Sequence, residues 1–402
     1  MALLSGSVIA QLATVAALPF LARMYSPIAF GEYAIFVSIT AFASVIATLR
    51  YEMAIVLPRS PREAAAVKQL TLRLLLIASL LIALVCVVIA ALPIAIDGDW
   101  RWLILLLGPS TFLLGYNAIM MYWFMRLNRY GILSRNRVLQ AVAIAGSQAL
   151  AGLVPNPSGF GLVLGMITGQ AVAALLLVLS DPSRRLKKDG RNLRQWSYLF
   201  RRHWRLPALT APQALVDSFR MNGINLVIGS MSLSALGQYS QAWRLVNVPA
   251  SLIGAALSQV YFPEFASTPR KDLFRAVRSS VVKSMLISAI PFALIFWLSP
   301  LVFPWALGDQ WVEAGRYAQV LVPWLYINLA TSPISTLFVV LQKQHVSLPF
   351  AVVYAIAPIV AIVAFHQEMY VAILAMSLTQ TVLLLVNLGL AFWIAHRAGI
   401  SD

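Results

Sequence analysis

Long apolar stretches follow one another along the whole chain, separated by short polar connections. A helix needs about 20 residues to cross the hydrocarbon core of a bilayer, and each of these stretches is roughly that long. The pattern predicts an all-α polytopic membrane protein with about twelve transmembrane helices. The predicted spans are residues 3–24, 30–57, 70–95, 101–126, 138–155, 159–180, 208–230, 236–262, 277–304, 314–341, 347–366 and 369–395.

Polar residues inside the spans recur every three or four positions, which places them on one face of a helix. They concentrate in spans 1, 2, 7 and 8, whereas spans 3, 5, 6 and 11 are far more uniformly apolar. Because polar residues in a helical bundle face protein or a water-filled cavity, the four polar spans predict a cavity with a cationic bias. The candidate substrate-binding residues are Arg23, Arg50, Arg220, Arg244, Gln241, Asn247, Gln11 and Gln213, and the candidate ion-coupling or gating residues are Asp217 and Glu52.

These charges also have simpler interpretations. Asp217 and Arg220 are three positions apart and could pair with each other, and Arg50 could extend toward the cytoplasm. Residues two apart on a helix point about 200° away from each other. We therefore expect Arg50 to face a ligand and Glu52 to face a neighbouring helix or the cytoplasmic gate.

Two segments, half a chain apart, resemble each other. SPIAFGEYA at residues 26–34 aligns without gaps with SLSALGQYS at residues 232–240, and the same offset lays spans 1 and 2 on spans 7 and 8. The agreement favours a duplication over coincidence. Six helices per half would give both halves one orientation, related by a pseudo-two-fold axis along the membrane normal with a substrate path between them. The predicted domains are an N-lobe (1–180), a basic linker (181–206) and a C-lobe (207–402).

The composition supports the membrane assignment, because 60% of the residues are hydrophobic and only 11% are charged. Nine of the 30 Lys and Arg residues lie in the stretch 181–205, and the other basic clusters, one of them Arg126, Arg129, Arg135 and Arg137, also fall in even-numbered loops. By the positive-inside rule these loops and both termini are cytoplasmic. The net charge of +16 then reflects topology and the bilayer, and we expect no nucleic-acid partner. The basic loop itself could be a cytosolic docking helix or a helix on the inner leaflet.

Motifs of soluble enzymes are missing from the sequence. It contains no phosphate-binding loop, dinucleotide fingerprint, His/Cys metal cluster or nucleophile elbow. The single cysteine, Cys86, has no partner for an intrachain disulfide. We therefore expect a protein that is not an enzyme and needs no metal or cofactor.

Three segments resemble one family of transporters. LLSGSVIAQL, LPFLARMYSPIAFGEYAIF and above all ATLRYEMAIVLP are similar to the Wzx-type O-antigen and exopolysaccharide flippases of the multidrug/oligosaccharidyl-lipid/polysaccharide (MOP) exporter superfamily. The match is strongest over about the first 70 residues and rests on pattern beyond them. The resemblance implies the MOP flippase fold and a location in the bacterial inner membrane.

The resemblance also implies a substrate and a mechanism. Such proteins move an undecaprenyl-diphosphate-linked oligosaccharide from the cytoplasmic to the periplasmic leaflet, by alternating access that is often coupled to H⁺ or Na⁺, and a glycan polymerase or glycosyltransferase would be a partner. The related lipid II flippases use arginines of the first, second and eighth helices, and Arg23, Arg50 and Arg244 lie in comparable helices here. Those relatives commonly have fourteen helices, so a lipid groove built from extra helices is not expected in this chain.

Two other functions are compatible with such a chain. A multidrug exporter of the same superfamily should have an anionic or aromatic cavity. The candidate cavity residues here include four arginines and only two carboxylates, so their net charge is positive. A membrane polysaccharide polymerase or ligase needs a sizeable extracytoplasmic loop, and no odd-numbered loop is predicted to be that long. Both alternatives are thus less favoured than a flippase.

Overall fold

The structure, a computed structural model, describes residues 2–92, 98–185, 198–202, 204–331 and 344–400. Within these ranges the chain forms α-helices, three short 3-10 helices and connecting loops, and no β-strand. The predicted all-α fold is confirmed.

Twelve long α-helices lie in the described part of the chain. They are α1 (Ala2–Met24), α2 (Pro27–Thr48), α3 (Pro61–Ala91), α4 (Gly98–Arg126), α5 (Tyr130–Ala151), α6 (Gly159–Ser180), α7 (Arg205–Met231), α8 (Leu233–Ser267), α9 (Arg270–Leu307), α10 (Val312–Thr331), α11 (Gln344–Ala364) and α12 (Met369–Ile400). Seven of them, α1 to α4, α6, α9 and α12, are long and apolar enough to cross a membrane. Each predicted span overlaps one of the twelve helices, but the number of spans itself stays a prediction.

The chain divides into two compact units, Met1–Leu226 and Val227–Asp402. The division falls inside α7, whereas the sequence placed a boundary at the basic segment 181–206. The predicted domain limits and the axis between the halves stay predictions.

The repeated nine-residue segment starts an equivalent helix in each unit. Ser26 precedes α2 and Ser232 precedes α8, and both have an extended backbone. The hydroxyl of Ser26 accepts a hydrogen bond from the backbone N–H of Ala29, and that of Ser232 accepts one from Ala235, at 3.2 Å in both cases. This N-cap satisfies one of the free N–H groups at a helix start. The shared Ser and Ala of the repeat are therefore a capping device.

The Glu or Gln of the repeat also binds backbone. Glu32 Oε2 accepts the N–H of Gly159 at the start of α6, at 3.0 Å. Gln238 Oε1 accepts the N–H of Ala314 at 2.9 Å, and its Nε2 donates to the carbonyl of Gln310. In each unit this side chain thus fastens its helix to the beginning of a later one, where free N–H groups favour an acceptor. Gln238, three residues before the candidate Gln241 on the same face of α8, therefore has a structural role.

The first unit packs α5 between α1 and α6 through small residues. A Cβ added to Gly6 would lie 2.1 Å from Ser134 Oγ, and one added to Gly169 would lie 2.2 Å from Ile144 Cγ1. Gly165 approaches α5 equally closely, one turn before Gly169. Small residues at such spacing let helix backbones approach closely, as is common inside membranes.

In the second unit α10 is the central helix, in contact with α8, α9 and α12. Trp311, in the short 3-10 helix that precedes it, is fully buried. Gln319 Nε2 of α10 donates at 2.8 Å to the carbonyl of Phe296. Pro300 has no N–H to bond that carbonyl within α9, so α10 supplies the missing donor.

Candidate functional site

The first predicted site lies where α2 ends. The sequence predicted a helix to residue 57, but α2 ends at Thr48. Leu49 and Arg50 have φ of 48° and 59°, in the left-handed region, and a 3-10 helix follows over Tyr51–Val56. Each non-glycine residue held in this region costs about 1–3 kcal/mol. The predicted continuous helix is therefore wrong at this point, and strained positions of this kind cluster at functional sites.

The break brings Arg50 and Glu52 together. Arg50 Nη1 lies 3.5 Å from Glu52 Oε1. The expectation that the two side chains point apart is wrong, since it assumed helical spacing across the break. The Arg50 side chain is 34% exposed and that of Glu52 only 3%. Arg50 Nε and Glu52 Oε2 are buried and make no hydrogen bond to any described residue, so the pair retains unused donor and acceptor capacity.

The second predicted pair lies on α7. Arg220 Nε is 3.9 Å from Asp217 Oδ1, and the side chains are 33% and 60% exposed. The two residues thus pair as their spacing allows, and an exposed pair of this kind contributes about 0–1 kcal/mol to stability. Gln213, one turn earlier, is exposed. Among the described residues no group of three His, Cys, Asp or Glu side chains could hold a metal ion.

Arg23 and Gln11 lie on α1. Arg23 is exposed in the last turn of the helix, whereas Gln11 is half-buried. Of the predicted residues in the first unit, the structure brings together two pairs, Arg50 with Glu52 and Asp217 with Arg220.

The remaining predicted residues lie on α8, in the second unit. Gln241 is buried, and its Oε1 accepts no hydrogen bond from the described residues. Arg244 and Asn247 follow at three-residue steps and are half-buried. Beside Arg244, the ring of Trp243 stacks on that of Trp324 of α10 at 4.7 Å. This contact fixes the rotation of α8 and with it the direction of the polar stripe.

A polar group inside the first unit was missed by sequence reasoning. Arg137 of α5 donates through Nη1 to Ser7 Oγ of α1, and its Nη2 lies 3.8 Å from Met121 Sδ of α4. Within the predicted topology Arg137 counted only as one of several basic residues of a cytoplasmic loop. The helix begins at Tyr130, before the predicted start of span 5, so Arg137 belongs to α5 and reaches between helices instead.

One turn further along α5 an amide network joins three helices. Gln170 Oε1 of α6 accepts hydrogen bonds from Asn117 Nδ2 of α4 at 2.7 Å and from Gln140 Nε2 of α5 at 2.9 Å. The three-residue spacing between Arg137 and Gln140 is the same signal that marked the stripes of spans 7 and 8. Applied to this helix, it would have identified the group.

A buried ion pair anchors the start of the basic loop. Lys68 Nζ of α3 donates to Asp181 Oδ2 at 2.7 Å and to Ser183 Oγ at 2.6 Å, and it lies 4.4 Å from the ring centre of Trp123. Trp123 Nε1 donates to the second carboxylate oxygen of Asp181. Burial raises the pKa of Asp181, but the hydrogen bonds from Lys68 and the Ser183 backbone outweigh it, so the pKa lies below its ordinary value.

The end of the basic loop also contacts the first unit. Tyr51 donates its hydroxyl to the carbonyl of Phe200 at 2.9 Å, and the two rings stack at 5.3 Å. Arg202 lies 3.3 Å from Glu63 of α3. Residues 186–197 lie outside the described part of the chain, so the choice between a docking helix and a helix on the inner leaflet stays open.

A family model described as polysaccharide biosynthesis protein matches residues 20–316. The chain belongs to the polysaccharide biosynthesis protein family. The predicted resemblance to a family of polysaccharide biosynthesis is confirmed by this match. No curated protein matches the sequence of this family member.

Solved structures of MOP-superfamily transporters share the fold of this polysaccharide biosynthesis protein. The lipid II flippase MurJ, in an inward closed conformation, has a TM-score of 0.75 at 12% identity, over 99% of this chain and 90% of that chain. An inward-facing multidrug resistance MATE transporter of the MOP superfamily has a TM-score of 0.71 at 15% identity, over 96% of this chain and 95% of that chain. A MOP-superfamily transporter from Pyrococcus furiosus has a TM-score of 0.57 at 15% identity, over 99% of this chain and 94% of that chain.

The family and the fold together define the class of protein. This polysaccharide biosynthesis protein is a multi-pass membrane protein with the fold of MOP transporters and flippases. The prediction that the chain is not an enzyme agrees with these structural neighbours, which are transporters and flippases.

Proposed function

We propose that the chain is a secondary transporter that flips an undecaprenyl-diphosphate-linked oligosaccharide from the cytoplasmic to the periplasmic leaflet of a bacterial inner membrane. One observation carries the proposal: a polysaccharide biosynthesis protein has the fold of a lipid II flippase over 99% of its length. Both termini would lie in the cytoplasm, and alternating access would expose the binding residues to each side in turn.

The charges of the predicted site suit a diphosphate. The predicted site contains four arginines and two carboxylates, and its net charge is therefore positive. These residues are Arg23, Arg50, Arg220 and Arg244, with Glu52 and Asp217. The planar guanidinium group can make two parallel charged hydrogen bonds to a phosphate. We assign the diphosphate to Arg50, Arg220 and Arg244, with Arg23 as an additional contact, and the prenyl chain to the surrounding lipid.

The sugars would bind the amide side chains. Gln11, Gln213, Gln241 and Asn247 can each donate and accept hydrogen bonds. Gln241 is the best placed, since its buried Oε1 accepts no hydrogen bond within the described structure. A sugar hydroxyl is a suitable donor to it.

Transport would be driven by an ion gradient rather than by a bound cofactor. Glu52 and Asp217 are the candidate H⁺ or Na⁺ coupling residues. Glu52 is the better candidate for ion coupling because its side chain is 3% exposed, whereas that of Asp217 is 60% exposed. Binding a cation or proton at Glu52 would weaken its attraction for Arg50 and make that guanidinium more available to the substrate.

A variant of Arg244 tests the assignment in cells. Arg244→Ala removes charged hydrogen bonds worth about 1.5–3 kcal/mol each, so surface-glycan assembly should fall at least tenfold while the protein remains in the membrane. Arg316→Ala, which removes an exposed charge paired with Glu313, is the matched control and should leave assembly unchanged. Normal glycan assembly in the Arg244 variant would refute the assignment, and export of cationic drugs by the wild type would favour the multidrug alternative.

A further inference from the structure

Arg137 holds an unusual position in the first unit. It is half-buried in α5, and its guanidinium reaches between α1 and α4 to Ser7 Oγ and Met121 Sδ. Both partners are neutral, and a thioether sulfur is only a weak acceptor. In the described part of the chain, no carboxylate lies within ion-pair distance of this guanidinium.

Several other cations of this unit lie beside a carboxylate, whereas the half-buried Arg126 donates to the backbone carbonyls of Ile55 and Val56. Arg50 lies beside Glu52, Arg220 beside Asp217 and Lys68 beside Asp181. A charge removed from water without a partner is costly, so such charges are normally paired. Arg137 differs from these cations because, among the described residues, it has neither a carboxylate nor a carbonyl acceptor, only a hydroxyl and a thioether, which indicates a place for an anion that binds from outside the chain.

The groups around Arg137 suit an anion that carries a sugar. One turn along α5, Gln140 joins Gln170 and Asn117 in the amide network. Asn117 Oδ1 is buried and accepts no hydrogen bond from a described residue. It could accept one from a ligand hydroxyl placed beside a phosphate on Arg137.

We propose that Arg137 and Ser7 form a second phosphate-binding site, in the first unit, which binds the lipid diphosphate of the substrate at a different stage of transport from Arg50, Arg220 and Arg244. The identity of the anion rests on the proposed function, whereas the site rests on the contacts of Arg137. A phosphate oxygen would replace Met121 Sδ at Nη2 and share Nη1 with Ser7 Oγ, so that the guanidinium binds through two parallel hydrogen bonds.

The site can be tested by binding to the purified full-length protein in lipid nanodiscs. The probes are inorganic pyrophosphate and an undecaprenyl diphosphate that carries no sugar, titrated against the wild type and three variants. Arg137→Gln removes the charge, and Ser7→Ala removes the neighbouring hydroxyl. Arg135→Gln is the control, because Arg135 lies on the same helix but is exposed and has the same charge.

We expect Arg137→Gln to weaken the binding of both probes about 10- to 100-fold, the effect of losing a charged hydrogen bond. Ser7→Ala should weaken binding less, and Arg135→Gln should change it less than twofold. Equal affinity of the wild type and Arg137→Gln would overturn the proposal, and so would a wild type that binds neither probe.

A stability measurement separates binding from structure. Because Arg137 lacks a carboxylate partner, Arg137→Gln should melt at the same temperature as the ligand-free wild type or a higher one. A marked fall in melting temperature together with lost binding would show a structural role and overturn the proposal.

Transport of the lipid-linked oligosaccharide in liposomes distinguishes this proposal from the proposed function. Pyrophosphate binding that depends on Arg137, in a protein that does not flip the lipid, supports the site and refutes the function. Flipping that continues unchanged in Arg137→Gln supports the proposed function and refutes the role of the Arg137 site.

Discussion

At the scale of single residues, a candidate functional position at Arg50 and Glu52 could be predicted from the sequence, but the relative direction of their side chains could not. Two charges in an apolar stretch indicated a functional position, and the structure finds there a strained break and an ion pair. Their relative direction was wrong, because spacing predicts direction only while the helix continues. Leu49 and Arg50 are left-handed without a glycine or proline to mark the break, so the residues themselves gave no signal for it.

Glu52 should govern ion coupling. Glu52→Gln keeps the size of the side chain but removes its charge, so transport in proteoliposomes should lose its response to an imposed H⁺ or Na⁺ gradient, an effect on the order of tenfold. Asp217→Asn is the control and should respond as the wild type does, because Asp217 is 60% exposed. The assignment is wrong if the Asp217 variant loses the response and the Glu52 variant keeps it.

The Lys68–Asp181 pair should dominate local stability. Asp181→Asn leaves the ammonium group of Lys68, whose side chain is 6% exposed, without an anion. Breaking a buried pair in this way costs about 3–5 kcal/mol, measurable by unfolding in detergent. Glu313→Gln, at the exposed pair with Arg316, should cost no more than about 1 kcal/mol. Equal effects of the two variants would contradict the assignment.

The pH dependence of this pair follows from the lowered pKa of Asp181. Its contribution to stability is fully present above the ordinary aspartate pKa of about 3.9. It is lost only as the pH falls through the lower pKa of the folded state. The difference in stability between the wild type and Asp181→Asn should therefore stay constant from pH 8 to about 5.

At the scale of helices, apolar length and capping residues could be predicted and packing could not. The apolar stretches located the helices, and the repeated Ser-x-x-Ala reflects equal N-caps on α2 and α8. The inward face of α5 was missed because Arg137 lies at the edge of its apolar stretch. Its partners, Ser7 and Met121, are distant in sequence, and only the packing of α1 and α4 brings them to it.

The close approach of α5 and α6 can be tested at Gly169. A Cβ there would lie 2.2 Å from Ile144 Cγ1 and 2.8 Å from its backbone nitrogen. Gly169→Ala should thus destabilise the unit by about 1–3 kcal/mol, the cost of overpacking. Gly146→Ala on α5 meets nothing within 4 Å and should stabilise by up to about 1 kcal/mol. A stabilising Gly169→Ala would show that the helices are not in close contact there.

At the scale of the whole molecule, the class of protein could be predicted from its first segments and its apolar pattern. The family match over residues 20–316 and the MOP fold confirm that assignment. The residues that bind the substrate are harder to predict, since an arginine between helices depends on contacts that the sequence does not display. Arg137 counted as a topology signal until the structure placed it beside α1.

The most direct test is the movement of a lipid-linked glycan across a bilayer by the purified protein. Proteoliposomes carry an undecaprenyl-diphosphate oligosaccharide labelled on its sugar, and an impermeant quencher reports how much label lies in the outer leaflet. We predict that the wild type makes the inner-leaflet label accessible when an ion gradient is imposed and that Arg244→Ala does not. Label that stays protected with the wild type, at the level of protein-free liposomes, would contradict the proposed function.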